Sequence, residues 1–225
     1  MVEAILDILL PPRCGGCNRF SDWYCPDCVE ATRRLREPLC LRCGAESEFV
    51  RRDCGCRARL RSLGRLRSAA AFEGVLEKAI HRFKYGGRKP LATPLALLLA
   101  ERLAIDGLPG EAVAWVPLHS RRRRRRGYNQ AELLAGRLAA MAGLPLLPGL
   151  ERTRDTPPQV GLDRLRRLTN VRGAFAWKGP PLARQAVILV DDVATTGATL
   201  EACAAALRAA GSGPVLGLTV ARTPF

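Results

Sequence analysis

The chain of 225 residues has few lysines, histidines and aromatic residues: four lysines among 36 basic residues, two histidines and 5% aromatic residues. No apolar stretch reaches the ~18–20 residues that span a bilayer without a charge or a Pro or Gly break, so no membrane helix is predicted. The apolar run at 5–10 is too short for a signal peptide, is interrupted by Asp7 and lacks a preceding basic segment. We therefore expect a cytoplasmic protein.

The scarcity of lysine leaves 36 − 4 = 32 arginines, and the formal net charge is +15. Because so strong a skew partly reflects compositional bias, it is not by itself evidence for nucleic-acid binding. A basic surface suits phosphorylated ligands or nucleic acid, but it can also be a solvated arginine-rich face. The length allows one medium domain with a small appendage, and 48% hydrophobic residues are typical of a soluble globular protein.

Eight of the nine cysteines lie between residues 14 and 56, mostly as CxxC pairs. Two such turns can present four thiolates to one tetrahedral ion, and a disulfide framework is not expected without a secretory signal. The array resembles a double zinc ribbon with up to two structural zinc ions, although interleaved pairing stays open and Cys54-Gly55-Cys56 gives a tighter bite. Four thiolates leave no open coordination position, so no catalysis is expected at the metal. The predicted sites are Cys14, Cys17, Cys25 and Cys28, and Cys40, Cys43, Cys54 and Cys56.

One strand–loop–helix unit carries paired carboxylates. The β-branched run Val187–Val190 predicts a strand covered on both faces, and Asp191 and Asp192 follow at its end. A loop with three threonines and Gly197 leads into a helix that includes Cys203 on its apolar face. Backbone N–H groups at a helix start attract phosphate, and paired aspartates can accept bonds from ribose hydroxyls or hold Mg²⁺ through water. The alternative is an ordinary buried strand and turn.

A second unit carries the longest basic run. A buried strand at Ala112–Val116 precedes Pro117, and the run Arg121–Arg126 is predicted to be a loop before the next helix. Guanidinium groups match pyrophosphate geometrically, although such a run can also be solvated or bind nucleic acid. His119, in the same loop, is interpreted as either a ligand contact or a turn residue. Tyr128 is a candidate base contact.

The remaining pattern alternates helices and strands, which predicts a mostly parallel sheet. Helices are expected at 2–10, from Pro26 through Leu35, at 76–83, and at 90–104, the last apolar almost all round. Further strands are expected at the edge near 68–72, and at 174–177 and 215–220. We predict a ribbon domain at 1–62 and a larger α/β domain at 63–225.

The run VILVDDVATTGAT at 187–199 resembles the 5-phosphoribosyl-1-pyrophosphate (PRPP) motif of type I phosphoribosyltransferases. The segments 116–119 and 126–135 resemble the ComF (competence) branch of that family, and the segment 152–175 is similar to its mobile hood. The resemblance implies the type I phosphoribosyltransferase fold: an α/β architecture with an open, mostly parallel sheet flanked by helices, with a hood, preceded by a small Cys-rich zinc-ribbon domain.

The resemblance also implies roles for individual residues. Asp191 and Asp192 would meet the ribose hydroxyls and metal-bound water and serve catalysis, with Mg²⁺ bound together with PRPP. Where relatives that act on 6-oxopurines have an aspartate, this chain has Thr195, which argues against that substrate. The 5-phosphate would be held by Ala194, Thr195, Thr196, Gly197, Ala198 and Thr199. Pyrophosphate would meet Leu118, His119 and Arg126, and Lys84 with the hood residues Gln159, Arg167 and Asn170 would close over it.

Three functions are compatible with this resemblance. The first is an accessory factor for single-stranded DNA uptake in natural transformation, with DNA and an uptake helicase as possible partners. The second is an active phosphoribosyltransferase with an unidentified nucleobase or amine acceptor. The third is a regulator that senses PRPP without turning it over. The resemblance favours the first.

Overall fold

The computed structural model describes residues 12–154 and 173–223. Its main sheet has four parallel strands in the order β1-β6-β5-β2, and a separate antiparallel pair joins β3 to β4. The strands are β1 (Leu63–Ala71), β2 (Ala112–Trp115), β3 (Leu150–Arg152), β4 (Phe175–Trp177), β5 (Val187–Ala194) and β6 (Val215–Arg222). The predicted strands are all present, and the predicted edge strand β1 does lie at an edge.

The helices connect the strands as the alternating pattern predicts. They are α1 (Pro26–Glu30), α2 (Gly74–Tyr85), α3 (Ala92–Asp106), α4 (Ser120–Arg126), α5 (Gln130–Ala142) and α6 (Ala198–Ala209), with a 3₁₀ turn at Lys89–Leu91. Side chains of alternate residues of β5 pack on opposite faces: Ile188 and Val190 join the cluster with α2, α3 and α5, and Val187 and Leu189 join that with α6. The sheet is therefore covered on both sides, which explains its continuous apolar strands.

Three expectations about elements are corrected. The helix from Pro26 ends at Glu30 rather than near Leu35, because the following chain hydrogen-bonds to β1 instead: Leu35 N–H donates to Ala69 O at 3.1 Å. Strand β1 begins at Leu63, five residues earlier than expected. Helix α3 is not buried all round, since Leu97 and Ile105 are exposed.

The cysteine-rich segment packs directly on the sheet domain. Arg82 of α2 donates to the carbonyl oxygen of Gly16 at 2.9 Å, and Arg222 of β6 donates to that of Cys43 at 2.5 Å. A buried ion pair links Arg67 of β1 to Asp106 of α3 (3.1 Å), and Arg67 also reaches the carbonyl oxygen of Cys40 at 3.4 Å. These contacts hold both halves of the ribbon against the sheet.

The predicted fold class is confirmed: an open parallel sheet flanked by helices follows a Cys-rich ribbon. Within 12–154 and 173–223, no helix is long and apolar enough to cross a membrane. The expected helix at 2–10 and the hood residues Gln159, Arg167 and Asn170 lie outside the described residues.

Candidate functional site

The eight ribbon cysteines form two groups of four, as the CxxC spacing predicts. In each group the four Sγ atoms lie within 4.8 Å of one another. The closest sulfur pairs are 3.4–3.9 Å apart. A tetrahedral zinc site with Zn–S bonds of about 2.3 Å has sulfur–sulfur edges of about 3.8 Å, so the geometry fits zinc. The groups are Cys14, Cys17, Cys25 and Cys28, and Cys40, Cys43, Cys54 and Cys56.

The arrangement supports structural zinc in both sites and excludes the interleaved pairing. All four ligands are thiolates in each group, so no position is left open for substrate. The CxC turn at Cys54 and Cys56 brings its two sulfurs together with those of Cys40 and Cys43, just as two CxxC turns come together in the other site. Arg19 donates to the sulfur of Cys17 at 3.4 Å and lowers the pKa of that thiol to about 6, which favours the ligating thiolate form.

A cavity of about 490 Å³ lies at the carboxyl ends of the strands. This is where open α/β sheets bind ligands. Its lining combines three chemistries: carboxylates from β5, hydroxyl and backbone groups from the loop before α6, and guanidinium groups from α4. The predicted residues that it brings together are Lys84, Leu118, Arg126, Asp191, Asp192, Ala194, Thr195, Gly197, Ala198 and Thr199.

The acidic pair lies within β5 rather than after it, because the strand continues to Ala194. Consecutive strand residues point to opposite faces, so Asp192 turns toward α2 and Asp191 toward α6. Asp192 is only 3% exposed, and its Oδ1 forms an ion pair with Lys84 Nζ at 2.9 Å. The other oxygen, Asp192 Oδ2, is buried without a hydrogen-bond partner. A buried carboxylate oxygen left without a donor is costly, which indicates a ligand at this point.

Burial and charge shift the titration of this cluster. Burial, reinforced by the neighbouring charge of Asp192, raises the pKa of Asp191 to about 8. Burial lowers the pKa of Lys84, but the adjacent carboxylate of Asp192 more than offsets it, so the net shift is upward. Lys84 is therefore a permanent cation beside the acidic pair. Lys84 lines the cavity and contacts Asp192, and its predicted place over the pyrophosphate stays a prediction.

The loop before α6 turns at Gly197, whose φ of +80° is a conformation that side chains rarely adopt. A Cβ at this position would lie 3.1 Å from Leu60 of the ribbon segment. At the next turn of the helix, both carboxylate oxygens of Glu201 accept hydrogen bonds from the backbone N–H groups of Ser62 and Leu63, at 2.7 and 2.9 Å. The loop is therefore packed against the junction of ribbon and sheet.

Two loop threonines differ in position. Thr195 and Thr199 line the cavity, whereas Thr196 does not, and its Oγ1 accepts a hydrogen bond from the N–H of Ala198 at 3.3 Å. Thr196 therefore bonds the first backbone N–H of α6 from one residue before the N-cap, Gly197, and is not among the residues that line the cavity. Its predicted phosphate contact stays a prediction.

The basic run forms the short helix α4 and not the predicted loop. His119 precedes it and acts as the N-cap, since its Nδ1 accepts a hydrogen bond from the N–H of Arg121 at 3.4 Å. The helical period places Arg122, Arg125 and Arg126 along the cavity, because residues three and four apart share a face. On the other side, Arg123 pairs with Glu132 at 3.2 Å.

The chain is similar to a family model, to named proteins of other organisms and to a solved structure. Residues 5–60 match the model of the double zinc ribbon domain. Over 227 residues the chain is 33% identical to the DNA utilization protein YhgH of Salmonella typhi, covering 96% of this chain and 99% of that protein. It is 34% identical to Competence protein F of Haemophilus influenzae, covering 88% and 89%. This chain belongs to the ComF family. The solved purine phosphoribosyltransferase of Pyrococcus horikoshii is 18% identical over 57% of this chain and 80% of that chain, with a TM-score of 0.34.

The segment that carries the ComF resemblance has a largely architectural role here. Gly127 ends α4 with a φ of +80°, and Asn129 caps α5 while donating to the carbonyl oxygen of Val116 at 3.0 Å. Tyr128 is buried, and its hydroxyl donates to the carbonyl oxygen of Phe83. It is therefore a packing residue, and the interpretation of Tyr128 as a base contact is wrong for this conformation. Gln130 accepts a hydrogen bond from Arg126 and holds that guanidinium at the cavity.

Sequence reasoning missed several lining residues of this ComF-family site. Arg122 and Arg125 would have been found by reading the basic run as a helix. Phe72 and Thr223 follow directly after β1 and β6, the carboxyl ends of two further parallel strands. His81, Tyr85, Gln130 and Arg152 also line the cavity. Their contribution depends on how α2, α5 and β3 pack, which no local pattern shows.

Proposed function

We propose that this ComF-family chain binds PRPP or a related ribose 5-phosphate together with Mg²⁺, as an accessory factor in the uptake of single-stranded DNA. The observation that carries the proposal is that the acidic pair of β5, the start of α6 and the arginines of α4 line one cavity, and that Asp192 Oδ2 has no hydrogen-bond partner. A ribose hydroxyl is the kind of donor that such an oxygen lacks. Asp191, the preceding residue of β5, also lines the cavity and offers a carboxylate to the neighbouring hydroxyl.

The two ends of the ligand have matching chemistry on opposite sides of the acidic pair. On one side, Thr195, Thr199 and the start of α6 offer hydroxyl and N–H donors to a 5-phosphate. On the other side, Arg122, Arg125 and Arg126 offer guanidinium groups to a pyrophosphate. A phosphorylated pentose with a second anionic group would therefore lie across the strand end.

Asp191 and Asp192 would hold Mg²⁺ through water, because this hard cation prefers oxygen ligands and keeps several of its waters. When bound, the ion neutralises charge on the pyrophosphate and orients it. Lys84 already supplies one positive charge at 2.9 Å from Asp192. The negative charge of the acidic pair would therefore be balanced partly by Lys84 and partly by the bound ion.

If an acceptor is present, phosphoribosyl transfer needs stabilisation of the leaving group and exclusion of water, and no protein nucleophile. The arginines of α4 are placed for the first task. The carboxylates of β5 would stabilise the positive charge that develops on the ribose ring. This geometry is equally compatible with the alternative of a sensor that holds PRPP without turnover.

The role in DNA uptake is supported by the relatives, one named a DNA utilization protein and another a competence protein. Both cover most of this chain and are covered by it over most of their own length. The basic net charge of +15 suits a nucleic-acid partner. A ligand-binding sheet domain with a ribbon fits an accessory factor.

Calorimetric titration of ribose 5-phosphate and PRPP, with and without Mg²⁺, tests the proposal. At pH 9, where Asp191 is ionised, the double variant Asp191→Asn/Asp192→Asn should weaken binding by about 100-fold or more, since two charge-assisted hydrogen bonds are lost. Asp27→Asn, which removes an exposed carboxylate paired with Arg19 in the ribbon, is the matched control and should bind normally. Equal affinity of the double variant and the wild type would overturn the proposal.

Pyrophosphate release separates the alternatives. Mg²⁺-dependent release from PRPP in the presence of one nucleobase or amine identifies an active transferase. Tight binding without release under every acceptor identifies a sensor.

A further inference from the structure

A row of aromatic rings lies along the rim of the cavity. The ring centroids of Phe72 and His81 are 6.0 Å apart with planes 27° from parallel, and those of His81 and Tyr85 are also 6.0 Å apart. His81 and Tyr85 lie four residues apart on the same face of α2. Tyr85 keeps 65% of its surface exposed, unusual for a large ring beside a cavity. We call Phe72, His81 and Tyr85 the aromatic row.

The basic helix α4 continues this row. The guanidinium of Arg126 lies over the ring of Tyr85, with Cζ 5.0 Å from the centroid. A second cavity of about 280 Å³ adjoins the first and shares several of its residues. Its lining contains four cationic side chains, one aromatic ring and no carboxylate: Lys84, Tyr85, Gly87, Arg122, Arg125 and Arg126.

This combination of groups differs from the phosphate cup at β5. The cup offers carboxylates and hydroxyl groups, which suit a sugar with free hydroxyls. The second cavity offers cations next to an exposed ring, which suit a phosphate followed by a planar base. Proteins that bind single strands combine a positively charged groove that follows the backbone with aromatic side chains on which bases stack. A duplex hides its base faces and cannot use such rings.

We propose that the aromatic row and the cavity-facing side of α4 form a binding site for single-stranded nucleic acid. Bases stack on Tyr85 and His81, and the backbone phosphates pair with Arg122 and Arg125. The site lies on α2 and α4, not on the ribbon. The biological role of this site rests on the proposed function in DNA uptake. Its binding of a single strand does not require ribose 5-phosphate.

Fluorescence anisotropy of the zinc-loaded chain with a labelled oligothymidine of about 20 nucleotides tests the site. Tyr85→Leu keeps apolar bulk and removes the stacking face, and should weaken binding roughly tenfold, within the range for one stacked base. Tyr85→Phe keeps the ring and should change the dissociation constant by less than about twofold, since stacking needs no hydroxyl.

The ribbon supplies a matched control. Phe49 is 57% exposed and lies under Arg51, whose Cζ is 4.3 Å from the ring centroid. Like Tyr85, Phe49 is an exposed ring beside a guanidinium, but it lines neither cavity. Phe49→Leu therefore removes a ring outside the proposed site and should leave the dissociation constant unchanged.

Salt dependence tests the phosphate contacts. In a plot of the logarithm of affinity against the logarithm of salt concentration, the slope of Arg122→Gln/Arg125→Gln should be shallower than that of the wild type by about 1.4. Each phosphate contact to a single strand contributes about 0.7 to this slope. An unchanged slope contradicts the assigned contacts.

The proposal is overturned if Tyr85→Leu binds as tightly as the wild type, if Phe49→Leu loses as much affinity, or if a duplex of the same length binds equally well. Competition between labelled DNA and unlabelled RNA strands identifies the preferred single strand, and either preference supports the site. Ribose 5-phosphate binding is titrated on the same wild-type sample. Its absence, with strand binding retained, contradicts the proposed function and leaves this site standing.

Discussion

The ribbon and the cavity are built in opposite ways. Every ligand of the ribbon sites comes from one continuous segment, 14–56, whose cysteine spacing predicts two four-thiolate sites, and the structure decides which four cysteines meet. The cavity draws its lining from segments as distant as Phe72, Arg126 and Thr223. Metal sites can therefore be read from local sequence, whereas a cavity at the end of a sheet depends on how the whole domain packs.

The two regions are nevertheless joined. The ribbon carbonyl oxygens of Cys40 and Cys43 accept hydrogen bonds from Arg67 and Arg222 of the sheet, and Leu60 lies beside Gly197 of the phosphate loop. The ribbon sites and the cavity therefore differ in how they are built, but the two regions contact each other directly. The predictions below test how far each region depends on the other.

Removal of zinc should have the largest effect. Structural zinc contributes about 10–16 kcal/mol of apparent folding free energy in zinc-finger peptides, so chelation should unfold the ribbon and lower the thermal midpoint by more than about 10 °C. Metal analysis should give about two ions per chain, and the single variant Cys40→Ser should give about one. Cys203→Ala, which changes the buried cysteine of α6 outside both sites, should keep two. One ion in the wild type would show that the CxC site does not bind zinc.

Breaking the buried ion pair of Arg67 and Asp106, both in the sheet domain, should have the next largest effect, and Arg67 also donates to the ribbon at the carbonyl oxygen of Cys40. Asp106 accepts hydrogen bonds from Arg67 and Arg102, and all three side chains are buried. Asp106→Ala leaves Arg67 without its carboxylate partner and Arg102 with only Glu37, at 3.6 Å, and should cost about 3–5 kcal/mol in urea unfolding. Asp27→Ala, in the exposed pair with Arg19, should cost at most about 1 kcal/mol. Equal costs would mean that the buried pair contributes no more to stability than the exposed one.

Substitution of alanine for Gly197 tests the contact between the ribbon and the phosphate loop. Gly127 has the same φ of +80°, but a Cβ there meets no atom within 4 Å, whereas at Gly197 it meets Leu60 at 3.1 Å. Both substitutions should cost about 1–2 kcal/mol from backbone strain. Gly197→Ala should in addition weaken ribose 5-phosphate binding, and the variant Leu60→Ala should relieve that crowding. Identical stability and affinity of the two glycine variants would exclude the contact.

The smallest expected effect is the dependence of ligand binding on pH. Because burial raises the pKa of Asp191 to about 8, this carboxyl is neutral below that pH and becomes charged above it. The gain in ribose 5-phosphate affinity on adding Mg²⁺ should therefore grow as pH rises from 7 to 9, up to roughly tenfold per unit. Titration calorimetry at several pH values measures this gain, and Asp191→Asn should flatten the profile. A gain that falls with rising pH would contradict the assigned titration.

The acidic pair shows where sequence reasoning succeeded and where it failed. The run Val187–Val190 predicted a buried strand correctly, since four apolar residues in succession require cover on both faces. The strand itself runs on to Ala194, so the two carboxylates lie on opposite faces instead of side by side in a turn. Only the packing of α2 shows why Asp192 is tolerated: Lys84 lies 2.9 Å from it.

The basic run shows the same limit in another form. Six successive arginines carry no apolar period, and their position between a buried strand and a helix predicted a loop. In the fold, the His119 cap, the left-handed Gly127 and the pair between Arg123 and Glu132 support one short helix. These supports lie partly outside the run, so its composition could not reveal them.

The sequence by itself determined the zinc ligands, the alternation of strands and helices, and the strand end at which a phosphate loop would lie. These depend on spacing and periodicity, which are local properties of the chain. Only the tertiary structure decided which arginines face the cavity, that Lys84 neutralises Asp192, and that an exposed row of rings lies beside the cavity. Such neighbours come from segments far apart in sequence, and burial and charge then set their chemistry only after the chain has packed.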